Sequence, residues 1–198
     1  MNVVRWLLEA DRKLFYLINT RLSSNSLDNI MLLLRQAYTW VPLYLFFLVF
    51  FYSNCRKFLF PIIALSLVTF TFTDFTSASI LKPLIGRIRP CHDPSLPFAV
   101  NNISGCGGLF SMPSSHAANH FGLATFWFSV IKETLNRKWF WLWFWAFIIC
   151  YSQVYVGVHY PADVIAGGLL GVAIGTLTSR LFHNWITRIN PGITNSTY

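Results

Sequence analysis

Residue types that could carry chemistry fall into three short segments of this chain. The segments are KPLIGRIRP with Lys82 and Arg89, MPSSHAANH with Ser114, Ser115 and His116, and SQVYVGVHYPAD with Gln153, His159 and Asp163. Cations hold phosphoryl oxygens, and a histidine can attack phosphorus or protonate a departing oxygen. Taken together, the three segments predict phosphoryl transfer.

The third segment has the residues of an activated nucleophile. Pro161 suits a first helical position and biases Tyr160 out of the helical region, which places His159 in a turn and Asp163 in a first helical turn. The carboxylate can then reach one imidazole nitrogen and leave the other as an outward lone pair. A carboxylate that only stabilises a helix start is the alternative for Asp163.

The second segment has residue types that open a helix. Pro113, Ser114 and Ser115 precede an apolar run, and the free N–H groups of a helix N-terminus bind phosphate well. His116 would lie in the first turn, ready to act on a group bound there. An ordinary N-cap followed by an interfacial histidine is the alternative.

The first segment supplies positive charge. Lys82 and Arg89 are seven residues apart, so they share a face if the helix continues past Pro83, whereas Arg87 would point elsewhere. Basic side chains that extend from a helix end to the membrane interface are the alternative. A metal site is a rival use for the histidines. With one nearby carboxylate it is the poorer match, and we expect neither metal nor cofactor.

These segments are embedded in a strongly apolar chain of 198 residues, 55% hydrophobic and 11% charged. Five stretches are long enough to cross a bilayer, and all must be helical: about 36–53, 58–80, 114–132, 138–158 and 162–183. Residues 1–25 are typical of an amphipathic helix at the membrane surface. We therefore expect one all-α integral-membrane domain over 1–198, with a transmembrane bundle over 36–183 and a tail over 184–198.

The formal charge of +8 comes from basic residues scattered among the loops. This pattern favours membrane lipids as neighbours or substrates and argues against nucleic acid. Basic residues lean weakly towards a cytoplasmic tail and an outward-facing site. Cys91 and Cys106 share the long loop on the site's face and could form a disulfide there if the compartment is oxidising; free thiols are the alternative. The oligomeric state stays open.

At these residues the sequence resembles the membrane branch of the type 2 phosphatidic acid phosphatase superfamily. The family motifs Lys-x6-Arg-Pro, Pro-Ser-Gly-His and Ser-Arg-x5-His-x3-Asp correspond in order and spacing to residues 82–90, 113–116 and 152–163.

The resemblance implies a helical bundle with its site at the membrane surface. It implies a phosphohistidine on His159, orientation of His159 by Asp163, and protonation of the leaving group by His116. Lys82 and Arg89 would hold the phosphate with Ser114 and with N–H groups near Ser115. The implied substrates are polyprenyl diphosphates, phosphatidylglycerol phosphate, phosphatidic acid or lipid A phosphates, and the implied place is a bacterial inner membrane with the site on the periplasmic or outer face.

Two positions depart from the family motifs. Ser115 replaces a glycine, and Gln153 replaces an arginine, so a charge and a bidentate donor are missing. We expect Arg87 to turn into the site as the substitute. The alternatives to a hydrolase are a phosphotransferase that uses a hydroxyl acceptor, and a lipid-phosphate binder weakened by Gln153.

Overall fold

The computed structural model describes residues 3–189, and helices dominate that range. The α-helices are α1 (Val3–Tyr16), α2 (Asn25–Arg35), α3 (Val41–Asn54), α4 (Leu59–Phe75), α5 (Lys82–Ile85), α6 (Ser115–Leu135), α7 (Trp141–Tyr155) and α8 (Pro161–Ile189). A π-helical segment, Thr76–Leu81, joins α4 to α5. The expected all-α architecture is confirmed. Of the predicted tail, residues 190–198 lie outside the described range.

Helix α6 is the centre of the bundle, and α8 packs closely along it. Gly167, Gly171 and Gly175 recur every four residues on α8; a Cβ atom on them would lie 2.3 to 2.5 Å from backbone oxygens of α6. Small residues at this spacing let two backbones approach, as in the small-xxx-small contacts of membrane helices. The close contact fixes the start of α8 beside the start of α6.

Fewer helices satisfy a length and apolarity criterion for crossing a membrane than the five stretches expected from the sequence. Each of the five predicted stretches contains a helix, but only Arg56–Ile85 and Pro161–Arg188 are long and apolar enough, within the described residues, to cross a membrane. A third span results if α2 and Ala37–Asn54, bent by 72°, are taken together. Helix α7 has 15 residues, about 22 Å at 1.5 Å per residue, which is short of a hydrocarbon core of roughly 30 Å.

The N-terminal helix is amphipathic, but it is shorter than predicted. Helix α1 ends at Tyr16, and α2, which the sequence analysis did not predict, begins at Asn25. Trp6 and Leu7 on α1 are exposed, whereas Phe15 is buried against the ring of Tyr160, with centroids 5.2 Å apart. One face of α1 is therefore free for lipid, and the other is docked on the start of α8.

Candidate active site

A cavity of about 350 Å³ brings the three motif segments together. Its walls include Lys82, Arg89, Ser115, His116, Gln153 and His159, together with Arg35 and the loop residues 104–107. These side chains come from α2, α5, α6, α7 and the connections between helices. Segments up to about 120 residues apart in the chain thus contribute to one concave surface.

The nucleophile candidate His159 lies in the turn before α8. Its Nδ1 is 3.6 Å from Asp163 Oδ2, a close contact slightly longer than a hydrogen bond, and both side chains are at most 2% exposed. Burial lowers the pKa of His159 to about 4, although Asp163 opposes the shift. The imidazole is therefore neutral at pH 7, and its Nε2 is the nitrogen turned away from Asp163.

Asp163 is fixed by its position at the N-terminus of α8. Its Oδ2 accepts a hydrogen bond of 2.8 Å from the N–H of Tyr160, the pattern of a capping box. Its backbone oxygen accepts from the N–H of Ser114 at 2.9 Å, which links α8 to the start of α6. The carboxylate is held by backbone groups as well as by side chains.

Arg87 lies behind Asp163 and not in the cavity. Its Nη1 donates to Asp163 Oδ1 at 2.8 Å, its Nη2 donates to Asp11 Oδ2 at 2.5 Å, and its guanidinium lies 4.1 Å from the centroid of the Tyr160 ring. Burial lowers the pKa of Arg87, but the two carboxylates outweigh burial and leave the pKa raised. Two carboxylates occupy this cation, so the expectation that Arg87 substitutes for the motif arginine is wrong in this structure.

The divergence of Arg87 and Arg89 follows from the backbone. Helix α5 ends at Gly86, which adopts φ +66°, and the chain then runs extended, with an antiparallel bridge between Ile88 and Phe110. Residues two apart share a face of an ideal strand. This segment is short and irregular, and the guanidinium groups of Arg87 and Arg89 contact different partners. The Nε of Arg89 donates to Phe110 O at 3.2 Å.

The helix does not continue from Lys82 to Arg89, so the condition for a shared helix face is not met. Lys82 reaches the cavity from α5, and Arg89 reaches it from the extended segment. Burial lowers the pKa of Arg89, while Asp163 opposes the shift. The two cations meet at the cavity because the helix ends at Gly86 and an extended segment follows, not because they share a helix face.

Ser114 and Ser115, at the start of α6, have different roles. Ser114 is the N-cap; its buried hydroxyl accepts from the N–H of Ala117 at 3.4 Å and is not part of the cavity wall. The expectation of a phosphate contact from the Ser114 side chain is therefore corrected. Ser115 lines the cavity, and its hydroxyl accepts from Ser77 at 2.9 Å. The N–H groups of Ser115 and His116 have no acceptor within the helix, since they belong to its first turn.

Two further groups in the cavity are Gln153 and Arg35. Gln153 is fully buried, and neither its Oε1 nor its Nε2 has a hydrogen-bond partner among the described residues. Arg35 lines the cavity but was not among the site residues expected from the sequence. The missed signal is SNSLDNIMLLLR, where apolar residues at positions 27, 30, 31 and 34 follow the N-cap position Ser24 with helical spacing.

The loop that covers the cavity is held by a disulfide between Cys91 and Cys106, whose Cα atoms are 5.9 Å apart. Residues 104–107 of this loop form part of the cavity wall. Within residues 3–189, one group of three potential metal ligands lies close together: Cys91, His92 and Cys106. Its two sulfurs are bonded to each other and are not thiolate ligands, so the group does not fit a metal.

The chain is similar to known membrane phosphatases over most of its length. It is 34% identical to the lipid A 4'-phosphatase of Bacteroides thetaiotaomicron over 194 residues, covering 94% of this chain and 83% of that protein. It is 29% identical to the undecaprenyl-diphosphatase of Sulfolobus acidocaldarius, covering 85% and 77%. Its fold matches the PAP2-type phosphatidylglycerolphosphate phosphatase of Bacillus subtilis with a TM-score of 0.67 at 22% identity, covering 93% and 88%. A family model described as the PAP2 superfamily matches residues 58–187, and the chain belongs to that superfamily.

Proposed function

We propose that the protein is a membrane lipid phosphatase that removes a terminal phosphate through a phosphohistidine, without a metal. One observation carries this proposal: Lys82, Arg89, His116 and His159 line the same cavity. Asp163 lies beside the imidazole of His159, which is neutral. Positioning and charge stabilisation are most of what phosphoryl transfer requires of a protein.

In the first step, Nε2 of His159 attacks phosphorus. A P–N bond forms, the bond from phosphorus to the lipid oxygen breaks, and His116, which enters this step as an imidazolium stabilised by the bound phosphate, donates its proton to that oxygen. Lys82, Arg89 and the N–H groups at the start of α6 bind the phosphoryl oxygens and stabilise their charge in the transition state. Asp163 stabilises the positive charge that develops on the imidazole.

In the second step, water attacks the phosphohistidine. His116, deprotonated in the first step, accepts a proton from the water as its oxygen bonds to phosphorus, and the P–N bond breaks. Inorganic phosphate leaves, and His159 returns as a neutral imidazole. If a lipid or sugar hydroxyl replaces the water, the same site is a phosphotransferase, so the products formed with an added acceptor distinguish the two activities.

The proposed substrate is a phosphate monoester on a lipid A type glycolipid. The similarity to a lipid A 4'-phosphatase over 94% of the chain supports it. A polyprenyl diphosphate is the second candidate, supported by the similarity to an undecaprenyl-diphosphatase. Both substrates present a phosphate at the membrane surface while their tails remain in the bilayer.

We also propose that the site faces the outer side of a bacterial inner membrane. The disulfide between Cys91 and Cys106 lies in the loop that covers the cavity, and disulfides persist in oxidising compartments. Labelling of the reduced pair with a membrane-impermeant thiol reagent in intact spheroplasts tests this orientation. Labelling only after the membrane is opened would place the site inside.

The test of function is phosphate release by the purified protein in detergent with chelator present. Lipid A, undecaprenyl diphosphate and phosphatidic acid are compared, and His159→Ala is measured beside His183→Ala. His183 is a suitable control because it is half-exposed and contacts Glu133 near the end of α8 away from the cavity. We expect chelator-resistant release and an acid-labile, alkali-stable phosphoprotein in the wild type and in His183→Ala, and neither in His159→Ala. Loss of release with chelator, restored by added metal, would refute metal independence.

A further inference from the structure

The cavity contains a buried polar side chain whose hydrogen-bonding groups are unused. Gln153 is 0% exposed, it forms part of the cavity wall, and both atoms of its amide lack a partner among the described residues. Burying an amide without hydrogen bonds is unfavourable, because its polar atoms lose their bonds to water. A ligand that accepts from Nε2 would remove this cost. Gln153 occupies the position of the arginine in the family motif Ser-Arg-x5-His-x3-Asp, but it brings no positive charge.

Arg35 brings a positive charge to the same wall. It is the last residue of α2, it lines the cavity, and it lies near enough to Arg89 for the two guanidinium charges to repel each other. Among residues 3–189, the ion pairs involve other cations, and no carboxylate is paired with Arg35. The cavity wall thus contains two adjacent guanidinium groups and Lys82, and no carboxylate of the described residues lines it. This arrangement favours the binding of a multiply charged anion.

The position of Arg35 is determined by the bend after α2. The hydroxyl of Thr39 donates to Leu33 O at 2.6 Å, and the indole N–H of Trp40 donates to Leu34 O at 2.8 Å. These bonds satisfy carbonyls at the C-terminus of α2, which have no partner inside the helix. They also hold the chain where it bends by 72° between α2 and the following helix.

The other end of α2 is tied to α7, the helix that carries Gln153. The hydroxyl of Tyr155 on α7 donates to Asp28 Oδ1 at 2.8 Å and accepts from the N–H of Ser24 at 2.9 Å. Helix α2 is thereby anchored at both ends. Arg35 and Gln153 reach the cavity from two helices whose relative position is fixed.

We propose that Arg35 and Gln153 together replace the motif arginine of this phosphatase site. The Gln153 amide donates a hydrogen bond to a phosphoryl oxygen, and the Arg35 guanidinium supplies the positive charge that this position lacks. An arginine supplies both a hydrogen-bond donor and a positive charge; here Gln153 supplies the donor and Arg35 supplies the charge. This inference rests on the proposed function, because it assigns both residues to the bound phosphoryl group.

The test moves the charge from one helix to the other. Arg35→Ala, Arg35→Lys and the double variant Arg35→Ala, Gln153→Arg are compared with the wild type and with Arg21→Ala. Arg21 is an exposed cation that lies over the Tyr16 ring and outside the cavity. Circular dichroism and gel filtration establish that each variant is folded.

We expect Arg35→Ala to lower kcat/KM by about 10²-fold, the size of effect seen when one transition-state donor is removed. The double variant should regain at least about tenfold of that loss, Arg35→Lys should lie between Arg35→Ala and the wild type, and Arg21→Ala should match the wild type. A purely structural role for Arg35 predicts no rescue by Gln153→Arg. A folded double variant as inactive as Arg35→Ala, or an Arg35→Ala enzyme as active as the wild type, would overturn the proposal.

Binding of orthovanadate, measured by titration calorimetry, makes this test independent of turnover. We expect Arg35→Ala to weaken vanadate binding and Gln153→Arg to restore it. If the wild type binds vanadate but releases no phosphate from any lipid, the proposed function fails and the calorimetry still decides the role of Arg35. If vanadate binds equally well to the wild type and to Arg35→Ala, the inference fails even when the phosphatase activity is present.

Discussion

Asp11 on the N-terminal helix connects α1 to the catalytic centre, and Asp11→Asn is a sharp perturbation of that connection. Asp11 Oδ2 accepts from Arg87 Nη2 at 2.5 Å, and Asp11 Oδ1 accepts from the N–H of Ala162 at 2.8 Å. Asparagine has nearly the same shape but only one acceptor oxygen. It cannot accept from both donors and it carries no charge, so Asp163 becomes the remaining carboxylate that holds Arg87.

The magnitude follows from the geometry of this pair. Hydrogen bonds to charged groups contribute about 1.5–3 kcal/mol. We take the lower part of that range, about 2 kcal/mol at most, because Arg87 keeps Asp163 as a partner and because solvent reaches 18% of the Arg87 side chain and 9% of the Asp11 side chain. Since about 1.4 kcal/mol is a factor of ten, kcat should fall about 10- to 30-fold. KM should stay within about twofold, because Asp11 does not line the cavity.

The assay is steady-state phosphate release from a lipid phosphate in detergent micelles. Glu9→Gln is the matched control, since Glu9 lies on the same helix, is about half exposed and pairs with Arg5. Asp11→Asn combined with Arg87→Ala should lose little more than Arg87→Ala alone, because the carboxylate acts through that guanidinium. A folded Asp11→Asn enzyme with unchanged kcat, or losses that simply multiply in the double variant, would refute the reasoning.

Two further predictions concern the helix contact and the nucleophile. Gly171→Ala should destabilise the protein by about 1–3 kcal/mol through overpacking, because its Cβ would lie 2.3 Å from Ala118 O; thermal unfolding in detergent measures this. Because the pKa of His159 is lowered to about 4, kcat/KM should not fall through protonation of this histidine when the pH is lowered past 6.5. The acidic limbs for para-nitrophenyl phosphate and phosphatidic acid should instead follow the second ionisation of each substrate.

Each of these predictions has a distinguishing outcome. Gly168→Ala lies on the same helix, and its Cβ would meet atoms of the movable Phe121 ring at 3.2 Å, so it should change stability less than Gly171→Ala. Equal effects of the two substitutions would contradict the close-approach argument. An acidic limb fixed near pH 6.5 for both substrates would mean that His159 gains its proton at an ordinary pH and that burial does not control the nucleophile.

The sequence predicted the residue types of the site better than the path of the backbone between them. Lys82, Arg89, His116 and His159 line one cavity, as their shared chemistry indicated. Lys82 and Arg89 do not share a helix face, because Gly86 ends the helix with a positive φ. A glycine inside KPLIGRIRP is compatible with both a continuing helix and a turn, so the pattern alone did not decide between them.

Contacts between distant segments were beyond sequence reasoning for a physical reason. Arg87 is a plausible phosphate ligand by type and position, and only the placement of Asp11 beside it shows that it is occupied. Asp11 is 76 residues away. Periodicity and capping describe neighbours within a few residues, so they report neither this pairing nor the approach of Arg35 to Gln153.

The arrangement around His159 separates two uses of positive charge that conflict chemically. A buried nucleophile needs a carboxylate to hold it, and a buried carboxylate needs a cation to be tolerated. That cation must not be one that binds substrate, because an incoming phosphate would compete with the carboxylate for it. Arg87, held by Asp163 and Asp11, balances the carboxylate from behind the histidine, while in the proposed mechanism Lys82 and Arg89 bind the phosphate from the cavity. In the proposed mechanism the N-terminal helix then supports the nucleophile, since without Asp11 the cation behind His159 would be balanced by Asp163 alone.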